Sequence, residues 1–255
     1  MMRSGNPVLN DNTFQAGTMG EMVEDRMTLM GTVHKTGILL FLVVLSASFT
    51  WGMVFTGKGI NGDPLMHPQV WTIAIAGSIV GLILALVTYF APKIAFITAP
   101  AYCIAKGLML GALSAAMEAR FPGIVLQAVG LTFGVLFALL AAYRSGLIKA
   151  TENFKLGVCA ATGGIILVYL ATFILDLFEV KVPYIHGSGL VGIGFSVFVV
   201  IIAALNLVLD FDFIENGAEM GAPKYMEWIG AFGLIVTLIW LYIEILHLLA
   251  KLRSR

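Results

Sequence analysis

The sequence predicts an all-α membrane protein, a bundle of seven transmembrane helices, and three observations carry that prediction. First, 59% of the 255 residues are hydrophobic and only 12% are charged, with a mean hydropathy of +0.95. Soluble domains carry about a quarter charged residues, so the chain has half of what a water-exposed surface uses. Second, the apolar residues gather in blocks long enough to cross a bilayer as helices of about 20 residues. Third, open strands cannot satisfy their backbone groups in lipid, so blocks of this kind must fold as helices.

The blocks place the spans at about residues 36–56, 69–91, 94–117, 123–143, 156–178, 188–210 and 226–250, with ends uncertain by a few residues. Each break has a physical cause. A polar loop runs from Gly57 to Pro68, and Ala91-Pro92-Lys93 makes a tight turn. Pro122 falls near the first turn of the fourth span, where its missing N–H costs nothing. Arg144 to Lys155 is a charged connector, Glu179 to Gly187 contains Pro183, and Glu215 to Pro223 closes the sixth span.

Residues 1–34 read as a polar, cytoplasmic N-terminal tail, and 35–255 as a single membrane domain. The tail lacks the short apolar core and small-residue cleavage site of a signal peptide. Its last part, Met22 to Lys35, has the pattern of a short amphipathic helix at the interface. Flanking Lys and Arg residues set the orientation. Arg3, Arg26, Lys35, Lys93, Arg144, Lys149, Lys155 and Lys224 fall on one side; Lys58, Arg120, Lys181, Lys251, Arg253 and Arg255 fall on the other. The excess on the first side puts the N-terminus in the cytoplasm and the C-terminus outside.

Zero net charge and the lack of a basic run exclude nucleic acid as a partner. No nucleophile elbow, zinc-protease or Walker-type motif occurs, so an enzyme is not expected, and no cofactor is implied. His34, His67, His186 and His247 lie in separate segments without metal-ligand spacing, and Cys103 and Cys159 read as buried packing residues. The pairs Gly77/Gly81, Gly107/Gly111 and Gly130/Gly134 predict close helix packing within the bundle. Ser46, Ser48, Thr50, Ser114, Thr132, Ser196 and Thr237 are expected to hydrogen-bond between helices.

The informative residues are the acids and bases of the spans. Lys106 in the third span and Glu244 in the seventh lie well inside apolar runs, where an unpaired charge costs roughly 2.5–3.5 kcal/mol or more. Their similar depth predicts that they pair if their helices are neighbours, either as a structural ion pair or as part of a conduction or proton-relay path. Asp176 and Asp210 sit at span ends, where water or headgroups can solvate them, and Asp210 is too shallow to be the natural partner of Lys106. Asp210 and Asp212 project about 200° apart on a helix, so only one can face the bundle. Flanked by Leu209 and Phe211, Asp210 is the expected inward acid: a proton-sensitive gate, a transient calcium site, or simply a solvated helix end.

Several long strings then resemble a known family. They include M-T-L-M-G-T-V-H-K-T, Y-C-I-A-K-G-L-M-L-G-A-L-S, A-A-L-N-L-V-L-D-F-D-F-I-E and K-Y-M-E-W-I-G-A-F-G-L-I-V-T-L-I-W-L-Y-I-E-I-L. Together, over the chain from about residue 6, they resemble the bacterial branch of the Bax inhibitor family of multispanning membrane proteins. The resemblance implies an inner-membrane protein whose last helix is central between two three-helix layers. It also implies a pH-sensitive calcium or cation leak set by two aspartates, one at the end of the sixth helix and one in the seventh. Asp210 matches the first; the seventh span offers only Glu227 and Glu244 for the second. Other relatives act by contact, restraining a membrane-bound protease or damping stress signals, which implies a non-transporting regulator as the alternative.

Overall fold

The computed structural model describes residues 26–55, 68–178, 187 and 189–254. Seven long helices follow in order: α1 (Leu29–Phe55), α2 (Pro68–Phe90), α3 (Ala95–Arg120), α4 (Ile124–Arg144), α5 (Glu152–Leu177), α6 (Leu190–Glu219) and α7 (Met226–Arg253). A single turn of 3₁₀ helix, Pro92–Ile94, joins α2 to α3. All seven are long and apolar enough to cross a membrane. The protein is a multipass membrane protein.

Two three-helix layers flank α7. In the first, α3 packs between α1 and α2; in the second, α6 packs between α4 and α5. The last helix lies against α1, α3, α4 and α6 and is the most buried of the seven. Its core residues Ala231, Ile235, Leu238, Leu241 and Ile245 meet Leu39, Tyr102, Ala128 and Leu207 from four other helices. An apolar span gains nothing from lipid-facing burial, so close packing must hold the layers. Glycine supplies it on one side. A Cβ added at Gly77 of α2 would lie 2.5 Å from the Ala105 carbonyl of α3, and those added at Gly107 and Gly111 would strike the α1 backbone at Val43 and Ala47. Gly130 and Gly134 of α4 face open space, so only the first two glycine pairs serve the bundle. Gly77→Leu should therefore destabilise the protein by about 1–3 kcal/mol, seen as a lowered apparent Tm, while Gly130→Leu should leave it near the parent value.

Two boundaries differ from the sequence reading. The residues Leu29–Lys35 are the opening turns of α1 and not a separate interfacial helix, so the expected boundary at residue 34 falls inside a span. Met27 and Thr32 are buried, and the Met27 N–H donates to the Ala222 carbonyl (2.7 Å), tying this segment to the α6–α7 turn. The sixth helix runs nine residues past Asp210, to Glu219. Beyond Asp210 it stays helical because Phe211, Ile214 and Gly217 keep an apolar stripe on one face. It stops at Gly221, whose φ of 65° suits glycine, with Ala222 N–H bonded to the Gly217 carbonyl and Gly221 N–H to that of Ala218.

Candidate functional site

The longer α6 changes the position of Asp210. It lies nine residues, roughly 14 Å, from the helix end. Its side chain points at α7: the Thr237 hydroxyl donates to the carboxylate, and a Cβ added at Gly233 would lie 3.7 Å from Oδ1. The other oxygen, Oδ2, is shut off from solvent and has no hydrogen-bond partner, alone in this among the described side chains that are not exposed. A buried charged oxygen left without a donor is costly, so the group needs another state or another ligand.

The other acids at this end that are not exposed are partnered. Asp212, projecting away from Asp210 as its spacing requires, pairs with Lys155 at the start of α5 (2.8 Å). Glu215 accepts from the Tyr143 hydroxyl of α4. Glu227, 2% exposed in the first turn of α7, pairs with Lys35 and accepts from the Thr28 backbone N–H (2.8 Å) and hydroxyl (2.9 Å). The same hydroxyl accepts from the Gly31 N–H and so caps α1. A carboxylate here also faces the positive ends of two helices. Glu227 is thus a clasp between α1 and α7, and Gly31 leaves the room that its carboxylate fills. The sequence offered Glu227 as a stand-in for the second acid of a gate; the structure gives it a full set of partners and does not bring it to Asp210.

The expected Lys106–Glu244 pair does not form. Lys106 turns toward α2, where Gly81 makes room for its stem; a Cβ there would meet Lys106 Cε at 2.8 Å. Among the described residues no ion pair includes its ammonium. Glu244, 5% exposed, is held by the Tyr169 hydroxyl of α5 (2.9 Å) and the Trp240 indole N–H (3.2 Å), both on Oε1. Equal depth is not enough for contact, because the two side chains lie at different angles around their helices. One signal for the actual partner was in the sequence: Trp240 is four residues before Glu244, and a buried indole N–H needs an acceptor.

Glu244 also lines a cavity of about 480 Å³ at the C-terminal end of α7, with Arg120, Tyr169, Ser196 and Lys251. Between this cavity and Asp210 the core is apolar, filled by Leu207, Leu238 and Leu241. The polar positions along α7 are therefore separated by apolar core residues.

The remaining expectations divide. Asp176 is exposed at the end of α5; Cys103 is buried, but Cys159 is exposed on α5. His34 is exposed and His247 lines the Glu244 cavity, while His67 and His186 lie outside the described residues. Among the described residues no three His, Cys, Asp or Glu side chains gather as a metal cluster. Ser114 bonds across to Tyr242 (2.7 Å), Ser196 to Lys251 (2.8 Å) and Thr237 to Asp210. Ser46, Ser48, Thr50 and Thr132 instead bond to carbonyls of their own helix.

No curated protein matches the chain. The family model described as Bax inhibitor 1 like matches residues 6–254, nearly the whole length. With that match and seven apolar helices arranged in two layers around the last, the chain belongs to the Bax inhibitor 1 like family.

Proposed function

We propose that the protein is a proton-sensitive calcium or cation leak of the bacterial inner membrane, with Asp210 as the charge that opens it. The observation that supports this reading is the Asp210 Oδ2 atom, buried between α6 and α7 without a donor. Ionised, the carboxylate is served by one hydroxyl, and the closed seam gives its second oxygen nothing. Water or a cation drawn in from the cytoplasmic end would satisfy it, at the expense of the α6–α7 packing. Neutral, it no longer carries the charge that the dry seam solvates poorly. Rising pH therefore favours the open seam.

The charged groups around the seam support the same end as the mouth. Asp212 and Glu215 lie on the same helix below Asp210, and their partners Lys155 and Tyr143 come from α5 and α4. With the N-terminus in the cytoplasm, this mouth faces the cytoplasm and the C-terminus of α7 faces outside. Lys106 is turned to α2, away from the seam, so its positive charge does not stand in the path.

The test is calcium flux through purified protein in liposomes between about pH 6 and about pH 8. Flux that rises with pH supports the proposal. A flat signal equal to that of empty liposomes contradicts it and favours a non-transporting regulator, to be sought by crosslinking to a membrane-bound protease.

A further inference from the structure

We propose that the cavity at the C-terminal end of α7 binds a zwitterion with a primary ammonium and an anionic group a few bonds apart. That is the chemistry of a phosphoethanolamine headgroup and of a free amino acid. This inference does not rest on the leak.

The cavity has the size and charge layout such a ligand requires. At about 480 Å³ it exceeds the space of a few waters and lies in the range of small-molecule sites, about 300–1,000 Å³. Its wall carries a carboxylate, Glu244, that is 5% exposed and fixed by two donors on Oε1. Beside it, the Tyr169 and Phe195 rings meet edge to face (6.1 Å, 74°), a wall suited to an ammonium group. Lys251 lies seven residues further along α7; its ammonium is held by the Gly192 carbonyl (3.2 Å) and Ser196 hydroxyl (2.8 Å) of α6 and interacts electrostatically with Glu244. Arg120 brings a second positive charge from the end of α3.

The two signs discriminate among ligands. A bare cation attracted to Glu244 is repelled by Arg120 and Lys251. A bare anion drawn to those bases meets the Glu244 carboxylate. A ligand with both charges, ammonium toward Glu244 and anion toward the bases, satisfies both ends. A primary ammonium has N–H groups for the carboxylate, whereas a quaternary one has none. Ethanolamine is therefore preferred to choline. The cavity lies toward the C-terminal ends of α3 and α7.

The full-length protein in detergent would be tested by native mass spectrometry with phosphatidylethanolamine, phosphatidylcholine and phosphatidylglycerol. Calorimetry with O-phosphoethanolamine and glycine would follow. The expected result is retention of phosphatidylethanolamine over the other two lipids by about tenfold, lost in Glu244→Gln and weakened in Lys251→Gln. O-phosphoethanolamine or glycine binding without retention of phosphatidylethanolamine identifies a soluble zwitterion as the source, and is also lost in Glu244→Gln. Equal retention of all three lipids with neither soluble zwitterion bound overturns the proposal, as does an unchanged preference in Glu244→Gln. Glutamine keeps an acceptor for Tyr169 and Trp240. Should that variant not be recovered, Lys251→Gln and Tyr169→Phe decide by the same readout, and an unchanged preference in both overturns the proposal.

Discussion

Glu227→Leu is expected to cost about 3–5 kcal/mol of stability, the loss typical of breaking a buried ion pair from one side. Three groups lose their partner at once: the Lys35 ammonium and the Thr28 N–H and hydroxyl. Lys35 is 16% exposed in its side chain, so it recovers only part of its solvation. The effect should appear as a lowered apparent Tm in detergent and as easier separation of the first helix from the last. Pairing the change with Lys35→Met should restore much of the loss, because the stranded charge is then gone. If Glu227→Leu alone leaves the Tm unchanged, the clasp is not what holds α1 to α7.

Asp210→Asn is expected to lower calcium flux by about tenfold at the upper end of the pH range, a change worth about 1.4 kcal/mol in the barrier. It should also flatten the pH dependence. Asparagine keeps an oxygen for the Thr237 hydroxyl but cannot ionise, so the seam stays closed at every pH. Because the shape is nearly kept, the Tm should hold or rise. A variant whose flux still climbs with pH would remove Asp210 from the gate. Its effect is also separable from that of Glu227, which acts on stability through the contact of α1 with α7.

The seven spans were legible because the apolar blocks are long and their breaks carry proline or charge. The central place of α7 came from the family resemblance, since composition alone ranks no span above another. The end of α6 is not legible in the sequence, because Asp210 and Asp212 look like a boundary. What continues the helix is the stripe of Phe211, Ile214 and Gly217, which is visible only once its packing face is known. Lys106 and Glu244 match in height along their spans, but contact also needs matching rotation, which hydropathy does not give. Glu227 and Lys35 are 192 residues apart, and nothing local to either announces the other. The acid at Asp210 was legible as inward-facing from the 200° rule and its apolar neighbours; its orphaned oxygen needed the packing of α7.

The central claim is that the α6–α7 seam opens at Asp210 when the pH rises. A cysteine placed at Gly233 reports on it directly, because a Cβ there fits at ordinary contact distance from Asp210. In a background with Cys103 and Cys159 replaced by alanine, Gly233→Cys would be labelled in liposomes by a charged thiol reagent, with the reagent's own pH dependence corrected for by an exposed control cysteine. The expected result is protection near about pH 6 and labelling near about pH 8, abolished by adding Asp210→Asn. A cysteine that stays protected at both values while the protein conducts calcium would contradict the account, since the path would then lie elsewhere.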